Sequence, residues 1–363
     1  MTNDVSAELI DAVQQHRDNN QAVRIVGGNS KSFLGRTSDD AQTQATLSVA
    51  EHQGVVNYEP TELVFTARSG TPLSTVIQTL NDADQQLPFD PPQLPGATLG
   101  GTMACGLSGP TRPHGGSARD HTLGVRVING QGESLRFGGE VMKNVAGYDV
   151  SRVQVGAYGT LGVLLDVSLK VLPKPETSIT LAFEQDAHDT APMVKLARQF
   201  LPISAVALIG TTRFVRLAGS DAGVQSAAQE LGGERLPTNE IWDGLRDFTH
   251  EFFQDPRPTW RLSVADYTPT LSIPNDEDGQ APNVLYDWGG AQRWVKTNLP
   301  SEQVFALAAN ANGHATRFSD PVSNEPTHQP LSGVAARLQR ELRSSFDPNR
   351  LFNRGRFHPE LDS

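Results

Sequence analysis

Hydrophobic residues recur at helical spacing in several stretches of the chain. One spans residues 6–19, where Ser6 is suited to cap the helix and the apolar positions share one face. Another spans residues 73–80 and follows Thr71-Pro72, a pair that favours the first positions of a helix. Near the end of the chain the same spacing predicts a helix that stops at Asp347-Pro348 and has one face formed by Val334, Leu338 and Leu342.

Alternation of apolar and polar residues predicts β-strands elsewhere. The clearest strand runs from Val163 to Val171, with apolar residues at every second position and a second face that is mostly polar. A hairpin is expected around Asn129-Gly130, because strand-like segments flank this dipeptide, which is a strong signal for a tight turn. Shorter strands are predicted at 22–26 and 63–67.

The character of the chain changes after Pro173-Lys174-Pro175, which we interpret as a domain boundary. Beyond it, helix-like and strand-like stretches alternate and glycine becomes sparse. At 363 residues the chain is long enough for more than one hydrophobic core. We therefore expect an α+β fold with two domains, formed by residues 1–172 and by a smaller cap at 173–320, with residues 321–363 returning to the first domain.

Composition narrows the possible partners. A formal net charge of −11 argues against a nucleic-acid-binding surface, because phosphate backbones are bound by basic patches. The single cysteine, Cys105, allows no internal disulfide and cannot hold an iron–sulfur cluster alone, which favours a reducing, cytoplasmic compartment. No secretion signal, no apolar run long enough for a membrane span and no histidine spacing typical of a metal site is visible.

Glycine is concentrated in loops where backbone would have to approach something closely. The stretch from Pro95 to Gly109 is the densest, and a second turn, Gly27 to Lys31, follows a predicted strand. Each glycine loses much conformational freedom on folding, so such runs are typically kept where unshielded N–H groups hold a phosphate. Two such loops predict a diphosphate held from two sides, and hence a dinucleotide. The alternatives are an ordinary turn at the first loop and a tightly packed crossover at the second.

Common nucleotide-binding and hydrolase motifs are missing. Neither the Rossmann pattern G-x-G-x-x-G nor the P-loop pattern G-x-x-x-x-G-K-[ST] occurs, and no G-x-S-x-G elbow supplies a nucleophile. A third glycine turn, Gly156 to Val163, precedes the clearest strand. Its small residues would let an adenine or ribose approach the backbone.

Cationic residues follow the long glycine-rich loop. Arg112 and His114 could neutralise a diphosphate or face a flavin ring, whereas the simpler interpretation of His114 is a surface ring. Residues 143–149 combine a cation, a carboxylate and an aromatic around a glycine, and a structural network is the favoured interpretation of this motif.

Together these motifs resemble the FAD-binding family typified by vanillyl-alcohol oxidase and p-cresol methylhydroxylase. The turn at 24–30 is similar to that family's first pyrophosphate loop, the stretch 95–109 to its second, and 159–163 to its Gly-Thr-Leu-Gly-Ile signature. The ending at 346–356 is similar to the family's Phe-Asp-Pro, spacer, Asn-Pro-Gly. Arg354 replaces the proline there, a change expected to loosen the turn.

Three further segments narrow the resemblance to the FAD-binding E subunits of bacterial glycolate oxidase, also called glycolate dehydrogenase. They are residues 107–110, 141–149 and 287–294. The resemblance covers nearly the whole chain and is densest at 22–172. It implies a two-domain fold of the p-cresol methylhydroxylase type. It also implies a complex with a larger homologous flavin subunit and an iron–sulfur subunit, through which any peripheral membrane contact would be made.

The resemblance implies FAD as the cofactor, bound non-covalently. Family members that attach FAD through the first loop use histidine where this chain has Asn29. The predicted cofactor contacts on the three loops are Gly27, Gly28, Asn29, Ser30, Lys31, Pro95, Gly96, Ala97, Thr98, Gly100, Gly101, Gly106, Ser108, Gly109, Arg112, Gly116, Gly159, Gly162 and Val163.

The implied activity is oxidation of glycolate, a small 2-hydroxy acid, to glyoxylate, with electrons passing to partner subunits. The candidate catalytic residues are His114, Arg293 and Arg317, as cations close to the motif segments. Related dehydrogenases carry a histidine-rich metal site in the cap, but the comparable stretch at 312–318 lacks the companion ligands, and no metal is predicted. The alternative is therefore a non-catalytic flavin-binding or scaffold subunit that only relays electrons or stabilises the complex.

Overall fold

A computed structural model describes residues 2–36, 44–139, 148–187, 189–196, 198–319 and 326–361. The helices of these residues are α1 (Ser6–Asp18), α2 (Leu73–Asn81), α3 (Leu99–Cys105), α4 (Arg112–Gly115), α5 (Val150–Val153), α6 (Ala191–Leu196), α7 (Asp221–Leu231), α8 (Glu240–Arg246), α9 (Ser301–Asn310) and α10 (Gly333–Phe346). Short 3₁₀ helices lie at Pro60–Glu62, Glu251–Gln254, Trp288–Gly290 and Pro359–Leu361.

The strands of the described residues are β1 (Val23–Val26), β2 (Ala45–Ser48), β3 (Val55–Glu59), β4 (Val64–Arg68), β5 (Gln85–Gln86), β6 (Thr122–Ile128), β7 (Ser134–Gly138), β8 (Val163–Lys170), β9 (Leu172–Pro173), β10 (Thr177–Glu184), β11 (Ile203–Ile209), β12 (Thr212–Gly219), β13 (Glu234–Arg235), β14 (Thr259–Ser263), β15 (Asn283–Asp287), β16 (Gln292–Lys296) and β17 (His314–Arg317). This mixture of helices and strands confirms the α+β class.

The chain divides into two compact units. The first unit comprises Met1–Leu107, Ser117–Pro173 and Pro321–Ser363, and the second comprises Ser108–Gly116 and Lys174–Asp320. The end of the long glycine-rich stretch therefore groups with the second unit. None of the helices formed by the described residues has the length and apolar character required to cross a membrane.

The first unit is built on a five-stranded antiparallel sheet in the order β3-β4-β8-β6-β7. The apolar residues of β8 pack into two hydrophobic clusters, one with α1 and one with α2 and α3, and the strand is buried on both faces, whereas the alternation in sequence suggested one polar face. One oxygen of Asp166 accepts a hydrogen bond from the Arg126 guanidinium at 2.6 Å, and Ser168 accepts one from the Thr66 hydroxyl at 2.9 Å. The other Asp166 oxygen has no hydrogen-bond partner among the described residues and lies 3.5 Å from the His52 ring nitrogen.

Strands β1 and β2 form a small parallel sheet, and their apolar residues pack with those of α1. The helix predicted at 6–19 is confirmed, but Ser6 is its first helical residue rather than its cap. The Asp4 carboxylate accepts hydrogen bonds from the Ser6 N–H at 3.0 Å and from the Ser6 hydroxyl, and this hydrogen bonding holds the pKa of Asp4 well below its usual range. The helix start is therefore stabilised by an aspartate two residues before the predicted cap.

The predicted hairpin is confirmed as β6 and β7, with Val125 opposite Phe137, but its connection is longer than two residues. The Asn129 side chain accepts from the N–H groups of Gln131 and Glu133, and Gly132 takes the left-handed conformation at φ 77°. Asparagine therefore organises a five-residue loop through its side chain instead of forming a two-residue turn.

Helix α10 forms where it was predicted, but its buried face differs. Val334 and Leu338 are exposed, whereas Ala336 and Arg343 are buried. The Arg343 guanidinium donates to the Phe352 carbonyl at 3.2 Å, so a buried arginine ties the helix to the C-terminal segment. The apolar spacing therefore predicted the helix correctly, but the face that it predicted to be buried is largely exposed.

The second unit is built on an eight-stranded sheet in the order β13-β10-β12-β11-β15-β16-β14-β17. Helices α6 and α7 pack with the apolar residues of β10, β11 and β12 on one part of it. Helix α9 packs with β14 and β16 on another. The domain limits expected from the sequence, 1–172, 173–320 and 321–363, remain a prediction.

Candidate functional site

A cleft in the first unit gathers the first glycine loop, helix α3 and the third glycine turn. Its charged lining residues are Lys31 and Arg356, and no described aspartate or glutamate lines it, although the chain as a whole carries a net charge of −11. The cleft is therefore locally positive. Ten of the predicted cofactor contacts line it: Gly27, Gly28, Asn29, Ser30, Lys31, Thr98, Gly100, Gly101, Gly159 and Gly162.

The first loop leaves its amide groups available. Strand β1 ends at Val26, and Asn29 then takes the left-handed conformation at φ 54°, which asparagine tolerates better than most residues. From Gly27 to Lys31, no backbone N–H donates a hydrogen bond to another described residue. Consecutive free N–H groups of this kind suit an anion.

The first loop packs directly against the second. A Cβ on Gly28 would lie 1.6 Å from the Gly96 carbonyl oxygen, and one on Gly27 would lie 2.5 Å from the Thr98 hydroxyl. These two glycines are therefore required by the contact between the loops. The dense glycine of the sequence reflects close backbone packing as well as any ligand.

In the second loop, backbone N–H groups donate hydrogen bonds to other protein atoms. At the start of α3, the N–H of Leu99 donates to the Thr71 carbonyl at 2.9 Å and that of Gly100 donates to the Ser69 carbonyl at 2.7 Å. The N–H of Gly101 donates to the Thr98 hydroxyl at 3.3 Å. The expectation that both loops offer free amides therefore holds only for the first loop, since α3 is held to its neighbours through its own first turn.

The C-terminal segment joins the first loop to the third glycine turn. The Asn353 side chain accepts from the Ile25 N–H at 2.8 Å and donates to the Tyr158 carbonyl at 2.6 Å. Gly159 follows in the left-handed conformation, and a Cβ there would lie 2.7 Å from the Asn353 amide nitrogen. Asn353 thus requires a glycine at this turn and fixes its distance from β1.

Arg354 tightens the C-terminal turn, contrary to the expectation that it would loosen it. Its guanidinium donates to the carbonyl of Asn349 at 2.9 Å and to that of Arg350. Arg356 in turn donates to the Lys31 carbonyl at 3.2 Å and accepts from the Arg36 N–H at 2.8 Å. Hydrogen bonds from arginine replace the conformational restriction that proline would supply.

Lys31 is the most unusual residue of the cleft, because its side chain is 5% exposed. The only hydrogen bond of its ammonium to a described residue is to the Ser30 hydroxyl at 3.5 Å, and no described carboxylate pairs with it. Burial lowers the pKa of Lys31 and raises the pKa of the neighbouring Cys105 thiol, an effect that Arg356 and Lys31 partly offset. An anion in the cleft would relieve the cost of burying this ammonium.

Two further polar side chains on the cleft have no hydrogen-bond partner among the described residues. They are the hydroxyl of Ser69, which is fully buried, and the amide nitrogen of Gln154, which is 3% exposed. Buried polar atoms are almost always satisfied in folded proteins. Together with Lys31 and the first loop, they fit a bound group that is rich in acceptor atoms.

Several predicted cofactor contacts lie elsewhere in the first unit. Val163 and Ala97 are buried in hydrophobic cores, because their strand and loop pack inward there. Gly106 ends α3 in the left-handed conformation, and a Cβ on it would lie 3.0 Å from Gly156. Pro95 and Gly96 are exposed beside the first loop and do not line the cleft.

The remaining predicted cofactor contacts, Ser108, Gly109, Arg112 and Gly116, belong to the second unit. There the Trp288 indole donates to the Gly109 carbonyl at 3.0 Å, and the Arg112 guanidinium lies 4.4 Å above the Trp288 ring. These contacts fix Arg112 by a cation–π interaction. A role of these four residues in cofactor binding remains a prediction.

The predicted catalytic residue His114 lies on α4 of the second unit and is exposed. Its pKa is lowered by partial desolvation and by the positive charge of Arg216. The pKa of His314 is lowered likewise, by partial desolvation and by Arg261 and Arg112. Each of these two histidines is therefore influenced by at least one arginine of the second unit. Sequence reasoning identified His114 and Arg112 as candidates, but not His314, Arg216 or Arg261.

Arg293 has a structural role. It is 1% exposed, and its guanidinium donates to the carbonyls of Gly290 at 3.2 Å, Pro269 at 2.7 Å and Thr268. These contacts use three of the five N–H donors of its guanidinium and give Arg293 a structural role, while its catalytic role remains a prediction. Arg317 lies in β17 opposite Trp260, with its guanidinium 5.9 Å from the centre of that ring.

The structure describes the motif at residues 143–149 only in part, and it also bears on the possibility of a metal site. Residues 143–147 of the predicted network lie outside the described residues, whereas Asp149 accepts from the Arg152 N–H at the start of α5. Among the residues that the structure describes, no group of three or more His, Cys, Asp or Glu side chains could hold a metal ion.

Sequence reasoning missed several residues that line the cleft. Tyr158 and Arg356 lie within motifs that were recognised but were not singled out, and Cys105 lies within the glycine-rich stretch. Ser69 and Gln154 belong to no motif. Only the folded arrangement brings these two residues to the cleft.

Comparison with known proteins agrees with the chemistry of the cleft. Residues 4–138 match the model of the family described as FAD binding domain. The chain is 44% identical over 360 residues to the glycolate oxidase subunit GlcE of Escherichia coli (strain K12), covering 99% of each chain. It is also 32% identical to the glycolate oxidase subunit GlcD of Bacillus subtilis (strain 168), over 137 residues that make up 38% of this chain and 29% of GlcD.

The fold is shared with a solved structure of alkyldihydroxyacetonephosphate synthase. The TM-score is 0.67, at 15% sequence identity, and the match covers 95% of this chain and 74% of that one. At this level of identity the likeness concerns the fold alone.

The contact between the two loops generates a prediction about Gly28. We expect Gly28→Ala to lower the free energy of unfolding by about 1–3 kcal/mol, because its Cβ would overlap a backbone carbonyl that cannot rotate away. Gly101→Ala is the matched control, since its Cβ would lie 3.2 Å from the Thr98 hydroxyl at the closest. Urea unfolding of both variants measures the difference, and equal stabilities would contradict the proposed packing.

Proposed function

We propose, because the chain belongs to the family of the glycolate oxidase subunit GlcE, that it is the FAD-binding subunit of a multi-subunit glycolate oxidase, which oxidises glycolate to glyoxylate. One observation carries the cofactor assignment. The buried Lys31 ammonium lines a cleft that has no acidic lining residue among those described. A dinucleotide with a diphosphate bridge supplies the negative charge that this site lacks.

The diphosphate would be held mainly by the first loop. Lys31 supplies a charge-assisted hydrogen bond, and the N–H groups from Gly27 to Ser30 supply further donors. Arg356 adds a second positive charge to the lining of the cleft. Asn29 offers no nucleophilic atom, which supports non-covalent binding.

When bound, FAD supplies the redox chemistry, by accepting the hydride equivalent removed from the substrate carbon. The protein's contribution is to hold and orient the cofactor. Asn353 supports this role because it links β1 to the third glycine turn through two hydrogen bonds, which keeps these two parts of the cleft lining at a fixed separation.

His114, Arg293 and Arg317 remain the proposed catalytic residues. A guanidinium or a protonated imidazole suits the carboxylate of a small 2-hydroxy acid. Of the three, Arg293 is buried and already donates hydrogen bonds to backbone carbonyls, so His114 and Arg317 are the stronger candidates.

The partners follow from the chemistry of electron transfer. A subunit with one cysteine does not supply the four thiolates of a usual iron–sulfur cluster. A larger homologous flavin subunit and an iron–sulfur subunit would therefore carry electrons onward. The same sparse use of cysteine supports a reducing, cytoplasmic setting for the complex.

Removal of the Lys31 charge tests the cofactor assignment. We expect Lys31→Met to raise the dissociation constant for FAD by about tenfold to a hundredfold, the usual effect of losing a charge-assisted hydrogen bond. Lys31→Arg keeps the charge and should retain most of the affinity. Lys174→Met is the matched control, because Lys174 is exposed and lies outside the cleft. Flavin fluorescence titration measures all three variants, and wild-type affinity in Lys31→Met would contradict the assignment.

Addition of glycolate without oxygen tests the catalytic role. We expect the flavin absorbance of the purified holo-chain to bleach, because electrons from glycolate would remain on the flavin when no partner is present. The competing function is a subunit that only relays electrons or stabilises the complex. It is favoured by the structural role of Arg293, which was a candidate for substrate contact. A yellow protein whose spectrum does not change with glycolate would establish that competing function.

A further inference from the structure

Ser69 and Gln154 both line the cleft, and each has a buried polar atom without a hydrogen-bond partner among the described residues. The Ser69 hydroxyl is fully buried, and the Gln154 amide nitrogen belongs to a residue that is 3% exposed. Beyond their backbone hydrogen bonds, neither residue has an interaction with another residue that the structure describes. The described part of the chain therefore does not account for these two polar atoms.

Backbone contacts hold both residues in place at opposite ends of α3. The Ser69 carbonyl accepts from the Gly100 N–H at the start of the helix, and the Ser69 N–H donates to the Leu165 carbonyl at 2.7 Å. At the other end, the turn that begins at Gln154 is tied to the helix, because the Tyr158 N–H donates to the Ala104 carbonyl at 2.9 Å. The positions of the two side chains are thus fixed before any ligand binds.

The chemistry of the two groups matches an acceptor-rich ligand. An amide nitrogen can only donate a hydrogen bond, and a hydroxyl can donate one as well. The cleft already contains the Lys31 ammonium and the free N–H groups of the first loop, which are also donors. FAD offers acceptors to such groups in its phosphates, its hydroxyl oxygens and its ring nitrogens.

We propose that Gln154 and Ser69 bind FAD directly, each through a hydrogen bond donated to an acceptor atom of the cofactor. This inference rests on the proposed function of the cleft. Both residues lie outside the glycine loops, so they add side-chain contacts at both ends of α3 to the backbone contacts of the first loop. They are binding residues and require no part in the chemical step.

A pair of opposite effects distinguishes a ligand contact from a structural role. Removing a buried polar atom that has no partner should leave the cofactor-free protein at least as stable as before, whereas it should weaken binding of the ligand that satisfies that atom. We therefore expect Gln154→Met and Ser69→Ala to unfold at the same temperature as wild type or higher without FAD. Each should raise the dissociation constant for FAD by about tenfold.

Thr102 provides the matched control. Its hydroxyl is also buried and without a partner among the described residues. Thr102 lies within α3, between the two ends at which Ser69 and Gln154 are held, but it does not line the cleft. We expect Thr102→Val to behave like the other two variants in the cofactor-free protein and like wild type in FAD binding. Thermal unfolding and fluorescence titration of the full chain supply both readouts without any assay of activity.

The outcomes separate this inference from the proposed function. If wild type binds FAD and Lys31→Met binds it weakly, but Gln154→Met and Ser69→Ala bind within twofold of wild type, the inference is overturned and the cofactor assignment stands. A loss of stability in the cofactor-free variants, with FAD affinity unchanged, would assign the two atoms to a buried water and would also overturn it. If wild type itself binds no FAD, both proposals fail.

Discussion

A buried positive charge without a negative partner is the constraint on which the site depends. An isolated ammonium is costly to bury, and Lys31 lies in a cleft that has no acidic lining residue among those described. The chain as a whole has a formal net charge of −11, so the positive charge of the cleft is opposite in sign to that of the whole protein. Its positive character is therefore local, and it comes from one lysine, one arginine and a loop of free amides.

The architecture that exposes this charge is assembled from distant parts of the chain. The first loop leaves β1 and packs against the second loop with no room for a side chain at Gly28. The C-terminal segment then returns to the same place, where Asn353 and Arg356 hydrogen-bond to β1, to the third glycine turn and to the Lys31 carbonyl. Segments from the beginning and from the end of the sequence thus line the same cleft.

Local patterns predicted most elements of the fold. Helices α1, α2 and α10 and strand β8 follow from periodicity and helix-start signals, because each keeps its apolar spacing over two or more turns or pleats. Burial was harder to predict. Strand β8 is buried on both faces because other elements pack on each side of it, and the apolar stripe of α10 is exposed because Arg343 takes the inward position. Both outcomes depend on tertiary partners that no local pattern encodes.

The residues of the site, too, could be predicted from the sequence only in part. Glycine turns and motif resemblance identified the loops of the cleft, since their backbone geometry requires particular residues at fixed positions. Val163 and Ala97 were included because they adjoin these motifs, yet they pack into cores. Ser69 and Gln154 were missed because an unsatisfied buried atom becomes visible only in three dimensions. The structural role of Arg293 was also missed, because a sequence does not reveal whether backbone carbonyls already accept hydrogen bonds from an arginine.

The rate at which Cys105 reacts with a small maleimide tests the central claim most directly. Cys105 is the only cysteine of the chain and lines the cleft, so the modification reports on that place alone. Because burial raises the pKa of the thiol, the reaction should accelerate as the pH rises into the alkaline range. Saturating FAD should slow the modification severalfold in proportion to occupancy. An unchanged rate in protein that has bound FAD would place the cofactor elsewhere and contradict the account.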